Sequence, residues 1–265
     1  MTEQNKKKRR SIRKGLFCLL FFVILVPLLT LAALLTGLAF YSVPVQFDVE
    51  TAAGISCTPL EKIVPGSGLP ENIQLNSANN NLDLVLYKDR YYFAFRTAPT
   101  HFASSETRMY ILSSDDLKAW KYETEFFLES DMREPRFLSF NNRLFFYFFE
   151  AGDSMIEFEP KQTYVSEYSG NGSWSSLRPV YEPGYVMWRF RSHGDKAYAT
   201  AYFGQGLYTD REGSGTVRLL ESSDGIDWKP ISEGPQLQVS GGEEPEFLFS
   251  PKGDLTVLVR LEMSG

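Results

Sequence analysis

Trp120, Trp174 and Trp228 stand two equal steps of 54 residues apart. The stretch Ser113-Ser114-Asp115-Asp116-Leu117-Lys118-Ala119-Trp120 returns as Ser222-Ser223-Asp224-Gly225-Ile226-Asp227-Trp228. A second marker keeps nearly the same beat. Short polar turns Lys88-Asp89-Arg90, Asn141-Asn142-Arg143, Gly194-Asp195-Lys196 and Lys252-Gly253-Asp254 have centres separated by 53, 53 and 58 residues. A fixed period of about 50 residues belongs to stacked or radial arrays. Four short strands and their turns fill such a unit, so the repeat reads as a β-propeller blade.

The runs between the turns agree. Leu82–Tyr87 and Tyr91–Arg96 form an apolar hairpin around the first turn. Around the second, Leu144-Phe145-Phe146-Tyr147-Phe148-Phe149 is so apolar that both its faces must be buried. The third unit opens at Tyr185 and the fourth at Gly242, ending after the strand Leu255–Leu261. With no long amphipathic helix beyond residue 41, the class is all-β. Three full units and half of a fourth leave open sheet edges, which are hazardous. We expect four-stranded blades of an incomplete five- or six-bladed ring, read from a fragment of a longer frame. A small four-bladed ring that borrows strands from residues 43–80 is the alternative.

Ahead of the array, Met1–Lys14 carries seven basic residues and one acid, and Gly15–Tyr41 is 27 residues without a charge. This predicts a basic cytoplasmic tail at 1–14 and a single-pass transmembrane signal-anchor at 15–41. Residues 42–80 then form a stalk and approach segment, and the propeller of residues 81–265 is extracytoplasmic. A cleaved signal is the rival, but its apolar core is usually about 7–15 residues and no small-x-small site follows. The part after Lys14 has a net charge of −12, a poor match to phosphate backbones, so no nucleic-acid partner is expected. Cys18 falls inside the expected span and Cys57 stands alone outside it, so the fold does not rest on disulfide bridges.

The turn at Ser113–Trp120 resembles the Asp-box of the sialidase superfamily, Ser-x-Asp-x-Gly-x-Thr-Trp. Ser113, Asp115 and Trp120 match, and Ser222, Asp224 and Trp228 match in a copy one residue shorter. In that family the box is a structural hairpin at the propeller rim, so it marks fold rather than catalysis. A wider resemblance to exo-sialidase-like proteins runs over Asn81–Glu262. It takes in Asp83, Phe95-Arg96, His101, Asp131-Met132-Arg133-Glu134-Pro135, Trp188-Arg189, Tyr202, Glu243-Glu244 and Arg260. Phe95-Arg96-Thr97-Ala98 departs from the Arg-Ile-Pro motif of well-studied sialidases.

First strands line a propeller's channel, and aligning the four turns places Asp83, Arg136, Arg189 and Glu246 at equivalent positions. Asn81, Glu134, Met187 and Glu244 lie two residues earlier. Charges beside strands this apolar either pair across the channel or face a wet pocket, because an unpaired buried charge costs several kcal/mol. The resemblance implies a glycosidase acting on terminal sugars of glycans. Glu134, Glu244, Tyr202 and Asp83 are then the candidate catalytic residues, and Arg96, His101, Arg133, Arg136, Arg189 and Arg260 the candidate binding residues. Such a site would use carboxyls for proton transfer, a tyrosine nucleophile and an arginine clamp for an acidic sugar. A non-catalytic carbohydrate- or protein-binding propeller and a three-carboxylate furanosidase remain open readings. Nothing has the spacing of a zinc site, nucleotide loop or serine elbow, so no metal or cofactor is expected. The partner would be a glycan or another small polar ligand, alongside the membrane at 15–41.

Overall fold

A computed structural model of the chain describes residues 21–39, 59–154, 158–204 and 214–261. At the N-terminus these are a π-helical turn, Phe21–Leu25, followed by helix α1, the 14-residue segment Val26–Ala39. This overturns the expected membrane anchor and with it the membrane localisation. Among the described residues no helix is long and apolar enough to cross a membrane. Pro27 has no N–H to bond back to Val23, and the regular ladder starts only at Val26. The tail 1–14 and residues 15–20, 40 and 41 of the expected span lie outside the described residues, as do Cys18 and Cys57.

The second unit begins at Leu60 and is all-β. Its first sheet has antiparallel order β1 (Ala78–Tyr87), β2 (Arg90–Ala98), β3 (Arg108–Ser114) and β4 (Lys121–Phe126). The second runs β5 (Asp131–Phe140), β6 (Arg143–Gly152) and β7 (Gln162–Gly170), with short β8 (Ser173–Trp174) and β9 (Arg178–Val180) both pairing with β7. The third repeats that plan with β10 (Tyr185–His193), β11 (Lys196–Phe203), β12 (Ser214–Ser222), β13 (Lys229–Pro230) and β14 (Leu237–Ser240). A two-stranded pair, β15 (Gly242–Phe249) and β16 (Leu255–Leu261), follows. The sheets are thus four- and five-stranded, the outermost position being split in two of them. None closes on itself among the described residues.

The first three predicted turns form as two-residue hairpin loops, while the fourth spans the five residues between Phe249 and Leu255. Tyr87 pairs with Arg90 and Phe140 with Arg143. Lys88 and Asp89, like Asn141 and Asn142, have consecutive left-handed φ, the requirement of a type I′ loop. The first strands β1, β5, β10 and β15 are successive neighbours. On β5, β10 and β15 a backbone group of the open edge is satisfied by a side chain of the preceding first strand. Asp83 Oδ2 accepts from Phe137 N at 2.7 Å, Arg136 Nε donates to Trp188 O at 2.8 Å, and Arg191 Nε donates to Phe247 O at 2.7 Å.

Between the sheets the core is aromatic. Strand β6 serves two layers because its side chains alternate. Leu144, Phe146 and Phe148 pack toward the first sheet with Met109, Ile111, Phe126 and Phe137. Phe145 and Tyr147 pack toward the third with Phe190, Leu220 and Trp228. Leu144 to Phe149 are all at most 2% exposed, so both faces are buried, as the sequence required. Each large side chain so placed contributes about 1.5–3 kcal/mol. Residues 60–77 contain no strand; Ile63, Val64, Leu69, Ile73 and Leu75 instead cover Phe93, Phe95, Tyr110 and Trp120 of the first sheet.

The rim turns correct the expected box by one residue. Ser114, not Ser113, receives the amides of Asp116 and Leu117, and Asp116, not Asp115, receives those of Lys118 and Ala119. Ser222 and Asp224 hold the amides of Asp224, Gly225, Ile226 and Asp227 in the same way. The two boxes are therefore equal in length. Ser113 Oγ donates to Glu123 at 2.5 Å, and Asp115 pairs outward with Arg90 and Lys121. Leu117 occupies the position of Gly225, with φ of 62° against 79°. Leu117→Gly should stabilise the protein by roughly 0.5–1 kcal/mol, since the left-handed cost of a side chain exceeds the entropy cost of glycine. At Gly225 a Cβ would lie 2.8 Å from the Phe145 ring. Gly225→Ala should therefore destabilise by roughly 1–3 kcal/mol. Urea denaturation of both variants checks the pair, and shifts of the same sign would refute the equivalence.

Candidate functional site

All four first strands break register at the same place: between Asn80 and Leu82, Arg133 and Arg136, Met187 and Arg189, and Glu243 and Glu246. Three of these bulges carry a non-glycine residue with left-handed φ: Asn81 at 44°, Glu134 at 53° and Glu244 at 48°. Asparagine tolerates that region, but a glutamate there costs on the order of 1–3 kcal/mol. Both glutamates precede proline in the matching segments Glu134-Pro135-Arg136-Phe137-Leu138 and Glu244-Pro245-Glu246-Phe247-Leu248. This Glu-Pro-x-Phe-Leu repeat is a signal that reading the residues one by one missed.

The bulges aim charged side chains at one another. Glu134 Oε1 accepts from Asn81 Nδ2, and its Oε2 accepts from Arg136 Nη2 at 2.6 Å. Arg136 also donates to Pro135 O at 2.9 Å, and its guanidinium lies 4.9 Å from the Trp188 ring centre. Burial pushes the Glu134 carboxyl above the usual range; Arg136 opposes the rise and the negative charge of Glu244 adds to it. Glu244 lies 3.0 Å from Arg260 Nη1, which also reaches the fully buried Glu243 at 3.4 Å. Asp83 is likewise raised by burial, against the Phe137 amide and the charges of Arg136 and Arg189. Arg189 pairs with Glu246 at 2.6 Å and Arg191 shares that carboxylate at 3.0 Å.

Beside this group sits a second one organised by a residue not singled out in the sequence, Asp131. Its Oδ1 accepts from Arg96 Nε at 3.0 Å, Arg96 Nη2 at 2.6 Å and Thr107 Oγ1 at 2.7 Å. Its Oδ2 accepts from Arg133 Nε at 2.5 Å. The Arg96 and Asp131 side chains are both fully buried. The other Arg96 donors go to Asn80 Oδ1, Thr100 O and Phe102 O, which pins the loop after β2. His101 lies in that loop. Its Nδ1 is 2.9 Å from Asn80 Nδ2 and its carbonyl accepts from Arg133 Nη2 at 2.8 Å. Burial and then the charges of Arg133 and Arg96 lower its pKa.

The structure therefore pairs Glu134 with Arg136, Glu244 with Arg260 and Arg189 with Glu246, sets Asp83 on the Phe137 amide, and joins Arg96, His101 and Arg133 around Asp131 and Asn80. Tyr202 stands apart on β11, buried with Phe149, Val186 and Val217, its ring centre 6.2 Å from that of Trp188. The group is only partly covered: the Glu134 side chain is 13% exposed, Glu244 30% and Arg260 50%. Each candidate arginine faces a carboxylate, so the charges here are nearly balanced, and burial biases two carboxyls, Glu134 and Asp83, toward their protonated forms. Among the described residues no group of three or more His, Cys, Asp or Glu is placed to hold a metal ion.

No protein-family description matches the sequence, and no curated protein does either. Among solved structures, the fold matches Trypanosoma rangeli sialidase in complex with the inhibitor DANA, with 16% identity and a TM-score of 0.55, over 71% of this chain and 35% of that one. A mutant of Trypanosoma rangeli sialidase displaying trans-sialidase activity matches with 14% identity and a TM-score of 0.53, over the same shares of 71% and 35%. A xylan β-1,4-xylosidase from Bacillus halodurans shows 12% identity and a TM-score of 0.49, over 72% of this chain and 40% of that one. The likeness is one of fold, to glycoside hydrolases with propeller folds, sialidases among them. This chain spans about a third of the length of the sialidases and two-fifths of the xylosidase.

Proposed function

We propose that this protein is a glycoside hydrolase acting on terminal sugars of glycans. The observation that carries the reading is the pair Glu134 and Glu244, held at equivalent strained bulges and close enough for one charge to raise the other's pKa. Glycoside cleavage needs one carboxyl to protonate the leaving oxygen and a second group to attack or to activate water. Glu134, biased toward its protonated form, takes the acid role. Glu244, more exposed, takes the second, with Asp83 the third carboxyl at hand. Arg133, His101, Arg189 and Arg260 border the opening and contact sugar hydroxyls, while Arg96 and Arg136 hold the framework. Burial of Tyr202 beside Trp188 weighs against a tyrosine nucleophile.

The exposed leucines Leu82, Leu84 and Leu86 on β1, and Leu248 and Leu258 on β15 and β16, support an array continued by further units in a five- or six-bladed ring. Pairing of the charged groups also favours one other reading, a non-catalytic carbohydrate-binding propeller. The test is a panel of neutral and acidic fluorogenic glycosides offered to the intact chain. Release by the wild type and not by Glu244→Gln supports the hydrolase, saturable binding without release supports the binder, and neither response sinks both.

A further inference from the structure

A cavity of about 460 Å3 opens at the other end of the first strands, lined by Tyr87, Lys88, Arg90, Tyr92, Arg143 and Tyr168 with Asn142 and Asn171 at its edge. Six residues of β1 separate Asn81 from Tyr87, a distance of about 20 Å along the strand. This place is distinct from the carboxylate mouth and does not rest on the hydrolase reading. Its charge is unlike that of the chain. The lining holds three cations and no carboxylate, on a protein of net charge −6. The carboxylates that pair with Arg90 and Arg143, Asp115 at 3.0 Å and Glu167 at 2.6 Å, lie outside the lining. Lys88 is exposed, its ammonium 5.0 Å from the Tyr87 ring centre.

The remaining groups suit a sugar. Tyr168 is part-exposed and packs on the buried Tyr92 with ring centres 5.3 Å apart, which offers one aromatic surface with a polar edge. Asn142 and Asn171 present amide groups that match hydroxyls. At Gly170 nothing lies within 4 Å of where a Cβ would stand, so the wall is open there. A volume of this size accepts a mono- or disaccharide. We propose that this cavity is a second binding site, for an anionic saccharide whose carboxylate or sulfate meets Lys88 and Arg90 while its ring packs on Tyr168.

The test is titration of the intact protein by calorimetry with glucuronic acid, a sulfated N-acetylglucosamine, uncharged glucose and inorganic sulfate. Both anionic sugars should bind, with glucose and free sulfate each weaker by about tenfold or more. Lys88→Gln and Arg90→Gln should each weaken the anionic sugars by about tenfold and leave glycoside turnover unchanged. Raising ionic strength should weaken binding to the wild type in the same direction, a readout that needs no variant. Equal affinity for glucose, equal affinity for inorganic sulfate, no binding at all, or variants indistinguishable from wild type would each overturn the proposal.

Discussion

Glu134→Gln is expected to lower turnover of an unactivated glycoside by about a hundred- to ten-thousand-fold, the range over which a positioned general acid acts. Glutamine keeps the size and an acceptor for Asn81 but carries no transferable proton. The loss should shrink on a substrate whose leaving group needs little protonation, such as a nitrophenyl glycoside. Glu244→Gln should reduce both substrates alike, because attack on the sugar does not depend on the leaving group. The pH profile gives a second signature. Burial raises the Glu134 carboxyl above the usual carboxylate range, so the wild-type rate should fall on the alkaline side as that proton is lost. The glutamine variant should lack that limb. Stability moves in the opposite sense: a raised carboxyl binds its proton more tightly in the folded state, so its contribution is present below the unfolded value and declines as pH rises through the folded one. Glutamine removes that decline but leaves Arg136 without its carboxylate, and the two effects offset, so thermal unfolding should shift little. Equal losses on both leaving groups would remove Glu134 from proton transfer.

The repeat and its turns were legible because they rest on local chemistry. Consecutive left-handed residues at Lys88-Asp89 and Asn141-Asn142 need nothing from the rest of the chain. The double alternation of β6 was legible for a similar reason, since a run of six large apolar side chains has no solvent-facing solution. The box register was not. Ser113-Ser114-Asp115-Asp116 offers two Ser-x-Asp spacings, and the choice is made by Glu123 taking Ser113 and by Arg90 drawing Asp115 outward, contacts 10 and 25 residues away. The helical extent of the N-terminal apolar stretch was hidden for another reason, because hydropathy reports composition and not where Pro27 interrupts a ladder. At the site, position was readable and partnership was not. Aligned turns placed charges at the heads of the first strands, but Asp131 gains its importance only when Arg96, 35 residues earlier, is folded against it.

Asp131→Ala should cost about 3–5 kcal/mol, the usual penalty for stranding a buried charge. Arg96 is fully buried, and its Nε and Nη2 both turn to this carboxylate. Its remaining donors reach Asn80 and the carbonyls of Thr100 and Phe102, which carry no formal charge. Without Asp131 the guanidinium must stay charged in a dry site or drag the loop at Thr100–Phe102 toward solvent. Arg96→Met strands less, because Asp131 keeps Arg133 at 2.5 Å and Thr107 at 2.7 Å. Its cost should be smaller than that of Asp131→Ala. Replacing both, Arg96→Met with Asp131→Leu, removes the two charges together and should recover part of the loss, since apolar substitutes for a buried pair are often neutral. Urea denaturation of the two single variants and the double measures the coupling directly. Additive losses, or a cost below about 1 kcal/mol for Asp131→Ala, would show that the pair is solvated in solution. In that case the loop bearing His101 would owe its position to something other than this ion pair.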